Sequence, residues 1–148
     1  MPEITLPAVV DSVRDAMGFI RRHLGEQHGI MRTYVELAVE ELLINVASYA
    51  YAGDDGARQG SNGDGKLVLG CRWVNMDGQD QFCVWLRDWG RPFNPFRSVC
   101  TPDTSLSVEE RNIGGLGVHL VKHISSHYVY SGADGSNTIE LYFRADAE

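Results

Sequence analysis

The segment 31–51 constrains this chain most, because it is the best-defined helix in the sequence. On a wheel of roughly 100° per residue, Val35, Val39, Leu42, Val46 and Ala50 fall on one side. That stripe requires an apolar cover, and a sheet is the natural one. Glu41 and Asn45 fall together on another side, one turn apart, with Ala38 and Ser48 near them. Glu40, although adjacent to Glu41 in sequence, points well away from Asn45.

The rest of the chain supplies the cover. Residues 66–74 and 81–87 are apolar, β-prone runs separated by a turn at 75–78, and they read as an antiparallel hairpin. Residues 128–131 and 138–143 read as two further strands joined by a Gly/Asp turn, and 4–6 as an edge strand before Pro7. A first helix is expected from Asp11 or Ser12, either of which could cap it, to Leu24, with Gly25 and Gly29 marking its end. A third is expected at 117–125 after a glycine-rich start. The stretch 53–65 is rich in Gly, Asp and Asn and reads as a flexible loop. Residues 91–111 read as irregular, with Pro92, Pro95, Pro102 and at most a helical turn at 107–111. The pattern predicts an α+β fold: a two-layer sandwich with a mixed, mostly antiparallel sheet and helices on one face. A length of 148 residues suits a single domain, 1–148.

Composition removes several functions. A net charge of -7 without a basic run speaks against direct nucleic-acid binding. No apolar stretch is long enough to span a bilayer and no signal segment opens the chain, so a cytoplasmic location is expected, with no membrane partner. Cys71, Cys83 and Cys100 are widely spaced, without a CxxC pair, and read as buried thiols rather than a disulfide framework or zinc site. His119, His123 and His127 recur every four residues, but no nearby Cys, Asp or Glu completes a metal site. Trp73, Trp85 and Trp89 read as packing residues rather than a stacking platform for bases.

Three features carry chemistry. An acid and an amide stacked on one helix face, Glu41 and Asn45, can act together. The amide offers a neutral oxygen to a hard cation such as Mg²⁺, and the carboxylate can orient or deprotonate a nucleophile beside it. In Arg87-Asp88-Trp89-Gly90-Arg91-Pro92-Phe93-Asn94, Asp88 follows an apolar strand. A carboxylate there can accept a hydrogen bond from an exocyclic amine such as that of adenine, and Gly90 lets a flat ring approach the backbone. In Asn112-Ile113-Gly114-Gly115-Leu116-Gly117-Val118-His119-Leu120-Val121, three glycines precede a helix, so backbone N–H groups can converge on an anion. This turn is neither the P-loop nor the dinucleotide fingerprint. Each feature alone also fits a solvated helix face, a common Asp-x-Gly turn or a plain glycine turn; their order and combination give them weight.

In that order the motifs resemble the gyrase, histidine-kinase and mismatch-repair ATPase superfamily with its Bergerat fold, over roughly 33–143. Within it, ELAVEELLINVASYAY at 36–51 and GGLGVHLVKHI at 114–124 resemble the small anti-sigma factor serine/threonine kinases. The resemblance implies ATP and Mg²⁺ as cofactors. It implies Glu41 as base or water-orienting group, Asn45 as Mg²⁺ ligand, Asp88 with Gly90 at the adenine, and Gly114, Gly115, Leu116 and Gly117 around the phosphates. Thr138 is expected near the adenine, and Arg111 could reach the γ-phosphate as a charge-stabilising arm. The implied partners are a STAS-type anti-sigma factor antagonist and a sigma factor, and a homodimer is implied as well. Tyr49 stands where many anti-sigma kinases carry a His, and the 53–65 loop is long for the minimal kinase. Both bear on partner recognition. The alternatives are a non-catalytic ATP-binding interaction module and a stand-alone histidine kinase catalytic domain, with His23 or His28 as phosphoacceptor.

Overall fold

Two Asp-Gly pairs set the sheet. At Asp77-Gly78 and at Asp134-Gly135 both residues have positive φ, 55° and 82° in the first pair, 56° and 78° in the second. That is the backbone of a two-residue hairpin turn whose twist matches the flanking strands. The first turn joins β2 (Lys66–Met76) to β3 (Gln79–Asp88), and the second joins β4 (His127–Ala133) to β5 (Ser136–Arg144). The computed structural model describes residues 2–25, 29–50, 65–90, 94, 96 and 115–145. The loop expected at 53–65, apart from Gly65, and most of the irregular 91–111 segment lie outside them.

The first turn is tighter than the four-residue turn read from the sequence. Asp and Gly alone make the reversal, so both strands run two residues further, pairing from Leu67↔Asp88 to Met76↔Gln79. β5 pairs with β3 and β4 with β5, while β1 (Glu3–Pro7) closes the other edge on β2, giving the order β1-β2-β3-β5-β4. Every pairing among the described residues is antiparallel.

Side chains alternate across these strands. One face carries Leu67, Leu69 and Cys71 of β2, Phe82, Val84 and Leu86 of β3, and Ile139, Leu141 and Phe143 of β5, all buried. Three helices cover this face: α1 (Val13–Leu24), α2 (Gly29–Asn45) and α3 (Gly115–Ile124). α2 lies between the other two. Its buried residues Met31, Val35, Ala38, Val39, Leu42 and Leu43 include Val35, Val39 and Leu42 of the expected stripe; Val46 just beyond is buried too, and the side chain of Ala50 lies outside the described residues. On the α1 side, Glu36 accepts hydrogen bonds from Arg21 Nε at 2.9 Å and Arg32 Nε at 3.0 Å. These contacts, Arg21 foremost, hold the Glu36 carboxyl below its ordinary value. The Arg21–Glu36 pair is on the surface and adds orientation more than stability.

Three local expectations need correction. Ser12 precedes α1 but makes no side-chain cap; its hydroxyl donates instead to Pro7 O at 2.7 Å and ties the helix start to β1. The second helix does not run as one α-helix to 51. It is α-helical to Asn45 and continues as a π-helical stretch, Val46–Ala50, a wider winding often found beside functional positions. Trp73 is not packed inside: it is 41% exposed and meets Phe82 edge-on at 5.1 Å.

The other face of the sheet is covered by its own long side chains. The Trp85 indole fills the space that a side chain at Gly70 would need, directly across the β2–β3 pair. The Arg87 guanidinium stands 5.2 Å from the Trp85 ring centroid. Cys71 and Cys83 are buried, unbridged thiols; burial raises the Cys71 thiol to about 11 and raises Cys83 as well.

Gly70→Ala is expected to destabilise the domain by roughly 1–3 kcal/mol, because the new methyl collides with a packed indole. Urea unfolding followed by tryptophan fluorescence measures it. An unchanged midpoint would mean that Trp85 moves aside at no cost.

Candidate functional site

Asp88 is the last residue of β3 and shares the helix-covered face with Phe82, Val84 and Leu86. It is only 5% exposed. A buried carboxylate needs hydrogen bonds to offset its lost hydration. Here both go to one oxygen. The Gly90 backbone N–H donates to Oδ1 at 2.8 Å, and Asn137 Nδ2 donates to the same atom at 3.0 Å. Among the described residues no donor reaches Oδ2. Burial raises the Asp88 carboxyl above its ordinary value, and the bonds from Asn137 and Gly90 partly oppose that.

Asn137 is the residue that the sequence reading missed. It lies in β5 directly opposite Asp88, is 5% exposed, and also donates to Gly90 O at 3.3 Å. Thr138, the residue expected there, has the opposite parity. Its side chain is on the outer face of the sheet, where its hydroxyl accepts a hydrogen bond from Arg87 Nε at 2.9 Å. The missing signal was the alternation itself: Ile139, Leu141 and Phe143 are the core-facing positions of this strand, and counting back by two reaches Asn137 rather than Thr138.

The helical features meet where α2 packs on α3. A Cβ built on Gly117 would lie 2.9 Å from Glu41 Oε2 and 3.2 Å from Oε1. Glycine at 117 thus lets the Glu41 carboxylate rest against the first turn of α3, where helix N–H groups lack intrahelical partners. Gly115 is the first residue of that helix, followed by Leu116. Asn45 is half-buried and one turn beyond Glu41, at the point where α winding gives way to π. Glu40 is exposed, consistent with its different direction on the helix. Gly114 and Arg111 lie outside the described residues.

Among the described residues no three His, Cys, Asp or Glu side chains gather around a point. The three spaced histidines do not share a helix face: His119 and His123 are on α3, whereas His127 begins β4, its ring 5.5 Å from that of Tyr142.

The arrangement combines a carboxylate oxygen at a buried strand end, unclaimed among the described residues, with a glycine-lined helix start facing an acid. Comparison with known proteins bears on what it serves. The family model for the histidine kinase-like ATPase domain matches residues 6–143. No curated protein matches the sequence. Among solved structures, the chain is similar to the histidine kinase domain from the Erythrobacter litoralis EL346 blue-light activated histidine kinase. Identity is 17%, with 93% of this chain and 60% of that chain covered, at a TM-score of 0.47. A second structure of the EL346 kinase gives 19% identity over 97% of this chain and 42% of that chain, at a TM-score of 0.49. The Acinetobacter baumannii histidine kinase AdeS gives 14% identity over 99% and 69%, at 0.48. The chain thus spans less than two thirds of either EL346 structure.

Asp88→Asn separates stability from binding. Because burial raises the folded-state pKa of Asp88, its contribution to stability is fully present below the unfolded pKa and is lost as pH rises through the folded value. The variant escapes that loss, and its amide oxygen can still accept from Gly90 and Asn137. The difference in melting temperature, variant minus wild type, is expected to move in the variant's favour between about pH 4 and pH 7. Movement the other way would show that the two hydrogen bonds outweigh burial.

Proposed function

The chain belongs to the histidine kinase-like ATPase domain family, and from that premise we propose that it binds Mg²⁺-ATP and passes the γ-phosphoryl group to a serine of a small partner protein. The observation that carries the nucleotide reading is Asp88: a buried carboxylate whose Oδ1 is doubly held, while no described donor claims Oδ2. An exocyclic amine is the ligand group that such an oxygen suits. The glycine-rich start of α3 suits phosphate oxygens, through its N–H groups and its dipole.

In this reading the serine hydroxyl attacks the γ-phosphorus, the bond to the β,γ-bridging oxygen breaks, and ADP leaves. Glu41 accepts the hydroxyl proton. Asn45 would hold Mg²⁺, which would supply charge neutralisation at the phosphates, and Arg111, outside the described residues, would add positive charge at the γ-phosphate. Catalysis of this kind rests on positioning and electrostatics. The acceptor we favour is a STAS-type anti-sigma factor antagonist, with a sigma factor as the second partner and a homodimer as the working form, in the cytoplasm. Support comes from the likeness of 36–51 and 114–124 to the anti-sigma factor serine/threonine kinases. No helix among the described residues is long and apolar enough to cross a membrane.

Two experiments test the reading. Asp88→Asn is expected to weaken ATP binding at least tenfold by calorimetry, against little change for Glu40→Ala, since an amide N–H₂ then faces the adenine amine; equal titration curves would remove Asp88 from the pocket. Incubation with γ-labelled ATP and a purified STAS-type anti-sigma factor antagonist is expected to yield acid-stable phosphoserine that Glu41→Ala abolishes. Bound nucleotide without labelled serine would leave a non-catalytic, ATP-dependent interaction module. Acid-labile label on His23 or His28 would instead make it a histidine kinase domain.

A further inference from the structure

The Asp88–Asn137 contact is one end of a longer chain of hydrogen bonds. The Tyr130 hydroxyl donates to Asn137 Oδ1. Tyr130 and Asn137 are on neighbouring strands of one sheet face, but they are not directly opposite: Tyr130 pairs with Ile139, and Gly132 pairs with Asn137. The phenol reaches Asn137 by lying along its own strand across Gly132. A Cβ at Gly132 would meet Tyr130 Oη at 2.5 Å and Cζ at 3.1 Å. Gly132 therefore leaves the space through which Tyr130 reaches Asn137.

This geometry fixes the orientation of the Asn137 amide. Its Nδ2 faces two acceptors, Asp88 Oδ1 and Gly90 O. The flipped amide would set its oxygen against a carboxylate and a carbonyl, two repulsive contacts in a buried site. With Nδ2 so placed, Oδ1 faces the phenol and takes its proton. Asn137 and Gly90 together occupy Oδ1 of Asp88, so the carboxylate cannot turn without breaking both bonds. Among the described residues the oxygen left for a ligand is Oδ2, an acceptor. It suits a 6-amino group and repels a 6-oxo group.

We propose that Tyr130 and Gly132 are positioning residues that act through Asn137 to hold Asp88 as an acceptor for a 6-aminopurine and against a 6-oxopurine. The assignment rests on the nucleotide reading above and names how that site selects its base. Tyr130→Phe removes the hydroxyl while keeping the ring. Gly132→Ala keeps the hydroxyl but puts a methyl in its path. Two chemically different changes should therefore produce the same defect.

The test measures binding of ADP and inosine diphosphate, which differ at purine position 6, to wild type, Tyr130→Phe, Gly132→Ala and Asp88→Asn, with melting temperature as the check on folding. The wild type is expected to prefer ADP. In both Tyr130→Phe and Gly132→Ala the ADP-to-IDP preference is expected to fall roughly tenfold. A purely structural role would weaken both ligands alike and leave the ratio unchanged. An unchanged ratio in Tyr130→Phe, with ADP still bound by wild type and lost in Asp88→Asn, overturns the relay and leaves the nucleotide site standing. A wild type that binds neither diphosphate overturns the nucleotide reading and the relay with it. Should Gly132→Ala fail to fold, Tyr130→Phe decides alone.

Discussion

A carboxylate buried at the end of a central strand is the constraint around which this domain is organised. Asp88 could sit there as an unsatisfied charge only at a cost of several kcal/mol. The fold relieves that cost locally. Gly90 turns its backbone N–H back onto the side chain, and β5 is registered so that Asn137 stands opposite. That register also buries Ile139, Leu141 and Phe143 against the helices. A slip by one residue would exchange Asn137 for Thr138 and turn the apolar set outward. The hydrophobic core and the polar site are thus specified by the same strand pairing.

The helical layer shows the same economy. α2 lies between α1 and α3 and buries residues on more than one side, so only part of its surface is left for chemistry. Glu41 is on the flank that meets α3, and glycine at 117 admits it there. Larger residues at 117 would require the carboxylate to move. The packing of two helices and the placement of an acid at a helix start are one contact.

Much of this was legible from residue order. The Asp-Gly turns, the apolar alternation of β3 and the helical stripe of α2 are strong local signals, and each yields its element with boundaries shifted by a few residues. The shared face of Glu41 and Asn45 follows from helical spacing; where that face meets α3, at Gly117, does not. What escaped was of a different kind. Asn137 follows a turn and precedes a threonine, so its type suggested loop, and only strand parity reveals it as a buried partner of Asp88. Tyr130 was legible as a strand residue, but its reach over Gly132 depends on two strands being side by side, which local sequence does not carry. The end of α winding at Asn45 left no signature that spacing could detect.

The account turns on one hydrogen bond, between Asp88 Oδ2 and the amino group of a bound adenine. A crystal structure of the domain soaked with ADP and Mg²⁺ measures it directly. The account predicts the adenine N6 within hydrogen-bond distance of Oδ2, with Asn137 and Gly90 still on Oδ1. An adenine bound elsewhere, or one whose amino group meets only backbone or water while Asp88 remains apart, would contradict it.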